Sequence, residues 1–265
     1  MKEKYDFEIK AGGCGYDLLD LSFNETTKNA LSKYVQKPNL RILDIGCGSG
    51  VMTEWLCQSS GDGSHVTAID RSVEQIEAAK SRLQGINNVS FHVLSAYDLS
   101  ELGQSYDLIY CRFVLHHLHS PIKTINIFYN ALNKGGIYFG EEGLIHQAFA
   151  YPPTFAWQGY LPKQKPPAQE QDGVERDGDF GMKLFYYTRK AGFEVLDCKL
   201  VQPLLWRKEE KKHILANELP YKKTALANGM IEDEWNKKFK ELERCVEDDD
   251  QIIGFYGSAQ IVASK

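Results

Sequence analysis

Ile42-Leu43-Asp44-Ile45-Gly46-Cys47-Gly48-Ser49-Gly50 decides the reading of this chain. A nearly continuous apolar run is how a strand buried on both faces of a parallel sheet reads. It delivers a glycine-rich turn, and Val51–Cys57 behind it has helix composition. Glycine admits positive φ and lets a ligand approach the backbone without a Cβ in the way. The N-terminus of the following helix offers free N–H groups that suit a carboxylate or another anion. A dinucleotide fingerprint is G-x-G-x-x-G/A. Here the turn is G-x-G-x-G, Val51 stands where the last small residue belongs, and Asp44 lies two residues before the first glycine. A nicotinamide cofactor is disfavoured.

Outward from the turn, short apolar runs alternate with helical stretches. The pattern predicts strands over Arg41–Ile45, His65–Asp70, Val89–Leu94, Asp107–Cys111 and Gly136–Gly140, and helices over Val51–Cys57, Ser72–Leu83 and Ile122–Leu132. Such alternation implies right-handed crossovers and an open, doubly wound α/β sheet. Ligands on these sheets bind at the carboxyl ends of the strands, near the point where strand order reverses. Before this half, residues 18–36 read as an N-terminal helix that ends at the breaker cluster Lys37-Pro38-Asn39. The cofactor half spans 40–142. Residues 143–178, rich in proline, glutamine, glycine and aromatics, read as a lid. A helix over Met182–Ala191 and a strand over Phe193–Lys199 follow. Two charged helices, Leu204–Asn217 and Glu232–Glu247, make a helical insertion over 200–250, and Ile252–Ala263 reads as a last strand. The whole, 1–265, is expected to be one domain with helical lid insertions.

The second signal is Asp70, which ends the run Val66-Thr67-Ala68-Ile69-Asp70. It lies one βαβ unit beyond the glycine turn, where an acid can hydrogen-bond both ribose hydroxyls. Its structural alternative is a helix N-cap, a task Ser72 already serves.

In these motifs the chain resembles the class I S-adenosylmethionine-dependent methyltransferase superfamily, in particular its small-molecule, quinone-biosynthesis-like branch. The residues that carry the resemblance are Leu43 to Gly50, Ala68-Ile69-Asp70, Phe91 to Asp98, Phe113-Val114-Leu115-His116-His117-Leu118 and Leu132-Asn133-Lys134-Gly135-Gly136. The resemblance implies a Rossmann-like methyltransferase fold with a seven-stranded, mostly parallel sheet whose last strand is antiparallel. It implies S-adenosyl-L-methionine as cofactor. It would put Gly46 and Gly48 beneath the methionine and ribose portions, with Cys47 as the small residue between them. Asp44 would orient the methionine ammonium and Asp70 would take the ribose hydroxyls. Arg71, Ala96 and Tyr97 would flank the adenine, and Arg112 and Phe113 would sit beside the methionine end. Relatives often carry an acid where Ser95 stands, so Ser95 or Asp98 would have to serve the adenine amino group.

Composition bounds the rest. The chain has 265 residues, 43% hydrophobic and 25% charged, which is ordinary for a globular protein. Its net charge of −5 argues against a bulk nucleic-acid partner. The cluster Arg207 to Lys212 reads as a solvated helix face. None of the six cysteines forms a CxxC pair or a metal-ligand spacing, so no metal is expected. The charged N-terminus does not resemble a signal peptide, and no stretch reaches membrane-spanning length. A soluble cytoplasmic enzyme is expected.

Methyl transfer from a sulfonium is an in-line displacement in which the protein chiefly aligns the nucleophile and excludes water. A general base is needed only where the acceptor must lose a proton early. Candidates are His116, His117 and His119, with packing as the alternative, and neighbours on one short helix are not expected to face the same pocket. Glu141 and Glu142 close the fifth strand, as acceptor ligands or as a solvated strand end. Phe149, Tyr151, Phe155, Trp157 and Tyr160 would wall a pocket for an aromatic or apolar small-molecule acceptor, or form a satellite core under the lid. The sequence leaves open an RNA or protein acceptor and a cofactor-binding module without catalysis. The methylated atom (O, N or C) is equally open.

Overall fold

The structure, a computed structural model, describes residues 15–152, 177–219, 222–227 and 229–265. Helix α1, Gly15–Val35, leads into strand β1, Arg41–Ile45. The first half then runs α2 (Val51–Ser59), β2 (His65–Asp70), α3 (Val73–Arg82), β3 (Val89–Val93), β4 (Tyr106–Arg112), α4 (Pro121–Ala131) and β5 (Leu132–Leu144). Three short strands, β6 (Phe149–Tyr151), β8 (Leu204–Leu205) and β9 (Ile252–Gly254), stand apart from the long β7 (Glu194–Val201) and β10 (Gly257–Ser264). The later helices are α5 (Gly181–Lys190), α6 (Lys208–Glu218), α7 (Lys222–Ala227) and α8 (Glu232–Glu247).

Seven strands form one sheet in the order β3-β2-β1-β4-β5-β10-β7. Pairs from β3 to β5 are parallel, and β10 runs antiparallel to both β5 and β7. This is the doubly wound, mostly parallel sheet expected from the alternating pattern. Order reverses at β1, which pairs with β2 on one side and β4 on the other.

Period-two alternation explains the two cores. Leu43, Ile45, Ile109, Cys111, Tyr138 and Ile261 point to one face, where Ile125 and Phe128 of α4 and Leu184 of α5 cover them. Ile42, Leu108, Tyr110, Phe139 and Val262 point to the other, against Leu31 and Val35 of α1 and Met52 and Leu56 of α2. Burial of each large apolar side chain contributes roughly 1.5–3 kcal/mol.

A third cluster forms a cap beyond the sheet. Leu18 and Phe23 of α1 meet Ile214 of α6, Leu242 and Cys245 of α8, and Leu205, Ile253 and Phe255. The small strands β6, β9 and β8 pair antiparallel within it. Lys211 of α6 is fully buried there. Its Nζ donates to the carbonyls of Cys245 at 3.1 Å and Gln251 at 3.0 Å, and to that of Asp248, closing the C-terminus of α8.

Several expectations are corrected. At the start of the expected lid over 143–178, β5 continues to Leu144, a short turn follows and β6 joins the small sheet, while residues 153–176 lie outside the described residues. Phe149 is half-buried there and Tyr151 is exposed. Phe155, Trp157 and Tyr160 lie outside the described residues. The expected helix Leu204–Asn217 begins only at Lys208, because Leu204–Leu205 pairs with β9, and α7 adds a third helix to this region. The expected strand Ile252–Ala263 breaks at Phe255-Tyr256 into β9 and β10, which belong to different sheets.

Candidate functional site

The carboxyl ends of β1, β2 and β4 meet in register, with Ile45 beside both Ile69 and Cys111. The glycine turn that leaves β1 therefore sits between Asp70 and Arg112. The N–H groups of Gly46 and Cys47 both donate to the Ile69 carbonyl at 2.9 Å, which stitches the turn to β2. Gly46 has φ of 70° and Gly48 of 54°, in the left-handed region that side chains disfavour. A Cβ on Gly46 would fall 2.3 Å from Val114 Cγ2, so the turn after β4 packs directly on the glycine turn.

Asp44 is buried with 1% exposure. Its Oδ2 accepts from Thr53 Oγ1 at 2.6 Å, while Oδ1 has no hydrogen-bond partner among the described residues. Burial pushes its pKa up to about 7, although the Thr53 bond and the Arg112 charge pull the other way. A buried carboxylate oxygen without a donor fits an incoming ammonium group.

Asp70 bridges the turn and the next helix. Its Oδ2 accepts from the Gly48 N–H at 3.1 Å and its Oδ1 from the Ser72 N–H at 2.9 Å. Ser72 is itself the N-cap of α3, accepting from the Gln75 N–H at 3.2 Å. Burial raises the Asp70 pKa against these backbone donors. A carboxylate offers roughly four acceptor positions, so capacity remains for a diol. Cys47 is buried with Ala68, Ile76 and Ala79, and burial lifts its thiol well above the usual range, so it is a packing residue of the turn.

The remaining sequence-predicted positions divide. Arg71 is exposed beside Asp70. Ala96 is packed into the core, whereas Tyr97 is half-buried and its hydroxyl accepts from the Ser120 N–H at 2.9 Å. Ser95 Oγ accepts from the Tyr97 N–H at 3.3 Å, and Asp98 is exposed. Arg112 donates to Asn24 Oδ1 at 2.8 Å and to Asp20 Oδ1 at 3.2 Å, which ties α1 to the end of β4. Burial alone would lower the Arg112 pKa, but Tyr110, Glu141, Asp20 and Asp44 hold it above its ordinary value. Phe113 takes φ of 54° and sets its ring edge-on to Phe23 at 5.2 Å and to Tyr256 at 6.3 Å.

Glu141 and Glu142 are both fully buried, which corrects the solvated strand end. Glu141 Oε2 accepts from Thr27 at 2.7 Å, and its Oε1 from Ser258 at 2.6 Å and Gln260 at 3.0 Å. Burial raises its pKa, and these donors occupy both oxygens. Glu142 Oε1 accepts from the N–H groups of Val114 at 3.0 Å and Leu115 at 2.7 Å, while Oε2 meets His116 Nδ1 at 2.6 Å. The rings of His116 and His117 touch, with centroids 3.8 Å apart, rather than lying on opposite sides of the turn. His119 is exposed.

Sequence reading missed the contribution of α1, namely Asp20, Phe23, Asn24 and Thr27, and that of Tyr256 and Gln260. The only sequence signal was the spacing of small polar residues along α1. Among the described residues no group of His, Cys, Asp and Glu could hold a metal ion, and no helix is long and apolar enough to cross a membrane. No disulfide joins the five described cysteines.

Comparison with known proteins places this geometry. Residues 36–156 match the family model described as "Methyltransferase domain". Over 122 residues the chain is 33% identical to a ubiquinone biosynthesis O-methyltransferase of Xylella fastidiosa, covering 44% of this chain and 48% of that one. Over 100 residues it is 39% identical to an uncharacterized Synechococcus protein, syc1184_c, covering 37% and 24%. The chain thus spans about half or less of the length of these relatives. Among solved structures, YcgJ of Bacillus subtilis superposes with a TM-score of 0.59 at 16% identity, covering 91% of this chain and 98% of that one. The [4+2]-cyclase SpnF gives 0.58 at 19%, covering 91% and 80%. A putative methyltransferase of Bacillus halodurans C-125 gives 0.57 at 15%, covering 94% and 97%. The seven-stranded sheet has the Rossmann-like fold of these solved structures.

Proposed function

We propose, with residues 36–156 as a member of the methyltransferase domain family for the premise, that this chain is an S-adenosylmethionine-dependent methyltransferase acting on a small-molecule acceptor. The observation that carries the reading is the Oδ1 of buried Asp44, which has no hydrogen-bond partner among the described residues, beside the Gly46–Gly48 turn. Asp44 binds the methionine ammonium, Asp70 takes the ribose hydroxyls, and Gly46 and Gly48 let the ligand lie against the backbone. Arg71, Ala96 and Tyr97 border the adenine end. Arg112 and Phe113 border the methionine end, and Arg112 brings α1 to the same place through Asp20 and Asn24. Once bound, the cofactor supplies an electrophilic methyl group on a sulfonium.

The acceptor side is built by Phe23, Phe113 and Tyr256, whose rings pack edge to face or tilted at 5.2–6.3 Å. Aromatic faces suit both a sulfonium charge and an apolar or aromatic acceptor. The Xylella relative, an O-methyltransferase of ubiquinone biosynthesis, supports a small acceptor.

Calorimetric titration with S-adenosylmethionine, S-adenosylhomocysteine and NADH tests this. Binding of both adenosyl compounds and not NADH is the expected result. Binding of NADH alone, or of none by folded protein, overturns it.

A further inference from the structure

Strand β7 ends the seven-stranded sheet with an open edge. It pairs with β10 on one side and with no strand among the described residues on the other. At 8 residues it is longer than β3, the 5-residue strand at the opposite end of the sheet. Native proteins blunt such edges with charges and bulges, because free N–H and C=O groups recruit other strands. On β7 the apolar side chains stay open: Leu196 is 46% exposed, Leu200 is 61% exposed, and Cys198 between them is exposed as well. The one lysine of the strand, Lys199, is matched by an acid, with its Nζ 2.8 Å from Asp197 Oδ2.

The order of these residues selects what covers the edge. Val195-Leu196-Asp197-Cys198-Lys199-Leu200-Val201 reads alike in both directions, except that an acid mirrors a base. When two copies of one strand pair antiparallel, a two-fold axis relates the residues that lie opposite. An axis at Cys198 sets Asp197 against the partner's Lys199, Leu196 against the partner's Leu200, and Val195 against the partner's Val201. Beyond the central cysteines, every pair is then apolar on apolar or acid on base. Moving the axis to Lys199 opposes two lysines, and moving it to Asp197 opposes two aspartates. Asp197 to Val201 runs in regular register along β10, and the extra residue of β7 falls at Leu196, away from the axis.

We propose that β7 is the seam of a homodimer, in which the sheets of two copies join edge to edge across a two-fold axis at Cys198. A second copy of this chain is the occupant because Asp197 and Lys199 complement their own mirror image. A strand seam alone falls short of the roughly 1,000 Å² that a specific interface clears. The axis also keeps both copies of α5, which packs on β7, on one face of the joined sheet. That helix carries exposed Met182, Phe185 and Tyr186, apolar surface with which to widen the contact. The dimer goes beyond the methyltransferase reading and stands or falls independently of it.

Sedimentation equilibrium on the full chain is expected to show a species of twice the chain mass whose share grows with concentration. Asp197→Lys and Lys199→Asp each set like charges opposite one another twice per dimer. Each is expected to raise the dimer Kd by about tenfold or more. The double variant Asp197→Lys/Lys199→Asp restores the mirror match and is expected to dimerise as the wild type does. An equimolar mixture of the two single variants is expected to form a heterodimer. Both side chains reach solvent, so unchanged thermal unfolding and S-adenosylhomocysteine affinity are expected in all three variants. A short bis-maleimide is expected to link two wild-type chains through Cys198 and to leave Cys198→Ser unlinked. A chain that is monomeric at every concentration overturns the proposal and leaves the edge to another partner. A dimer indifferent to both single charge substitutions overturns it too, as does a crosslink that survives Cys198→Ser.

Discussion

Gly46 and Val114 touch across two loops that leave neighbouring strands, and the space for a Cβ on Gly46 is already filled by Val114 Cγ2. Gly46→Ala combines a left-handed backbone strain with this overlap, and is expected to cost roughly 2–4 kcal/mol of stability. Val114→Ala in the same chain should return part of it, because the overlapping methyl is removed while the strain remains. Urea denaturation of the two single variants and the double variant measures the coupling. Equal losses in Gly46→Ala and the double variant would show that backbone strain alone matters.

The buried Asp44 predicts a pH dependence for cofactor binding. With its pKa lifted to about 7 by burial, the carboxyl is largely protonated at pH 6 and ionised at pH 8. An ammonium binds the ionised form, so binding must expel the proton below pH 7. Affinity for S-adenosylhomocysteine should rise about tenfold per unit up to pH 7 and then level off. Calorimetry at pH 6 in buffers of different ionisation enthalpy should register the released proton, and Asp44→Asn should abolish both effects.

Asp70 has a double duty, because its oxygens bind the Gly48 and Ser72 N–H groups as well as facing the proposed diol. Asp70→Ala is expected to weaken cofactor binding by roughly 1–3 kcal/mol and also to lower stability by about 1 kcal/mol. Paired titration and thermal unfolding separate the two. Weakened stability with intact affinity would restrict Asp70 to the turn.

Lys211 offers a test far from the glycine turn. Its ammonium group is surrounded by three backbone carbonyls at the end of α8. Lys211→Met keeps the apolar stem and leaves those acceptors bare, at an expected cost of about 2–4 kcal/mol. Chemical denaturation checks this, and hydrogen exchange should place the loss at the end of α8.

Local signals carried the central sheet. The bounds of β1 and β2 follow from apolar runs closed by polar residues, and the Gly46–Gly50 turn from its composition. The cap resisted the same reading. Strands as short as Leu204–Leu205 have no period to detect, and their pairing with Ile253 and Gly254 is set by the tertiary fold. Glu141 and Glu142 read as acceptor ligands or as a solvated strand end, because two acids close a strand. Their donors, Thr27, Ser258 and the Val114–His116 turn, are distant in sequence, and nothing local announces them. Arg112 was visible as a position after β4, but its partners Asn24 and Asp20 lie 88 and 92 residues earlier, in α1.

The place of β10 between β5 and β7 constrains how a ribosome can make this protein. Strand β7 is synthesised well before β10, yet it has no partner in the sheet until β10 arrives. During that interval the nascent chain presents β5 as an unpaired edge, the kind of surface that recruits other strands. Glu141 also waits for Ser258 and Gln260. Translation that stops between Val201 and Gly257 would therefore release a chain with an open sheet and a half-satisfied carboxylate, a natural client for chaperones.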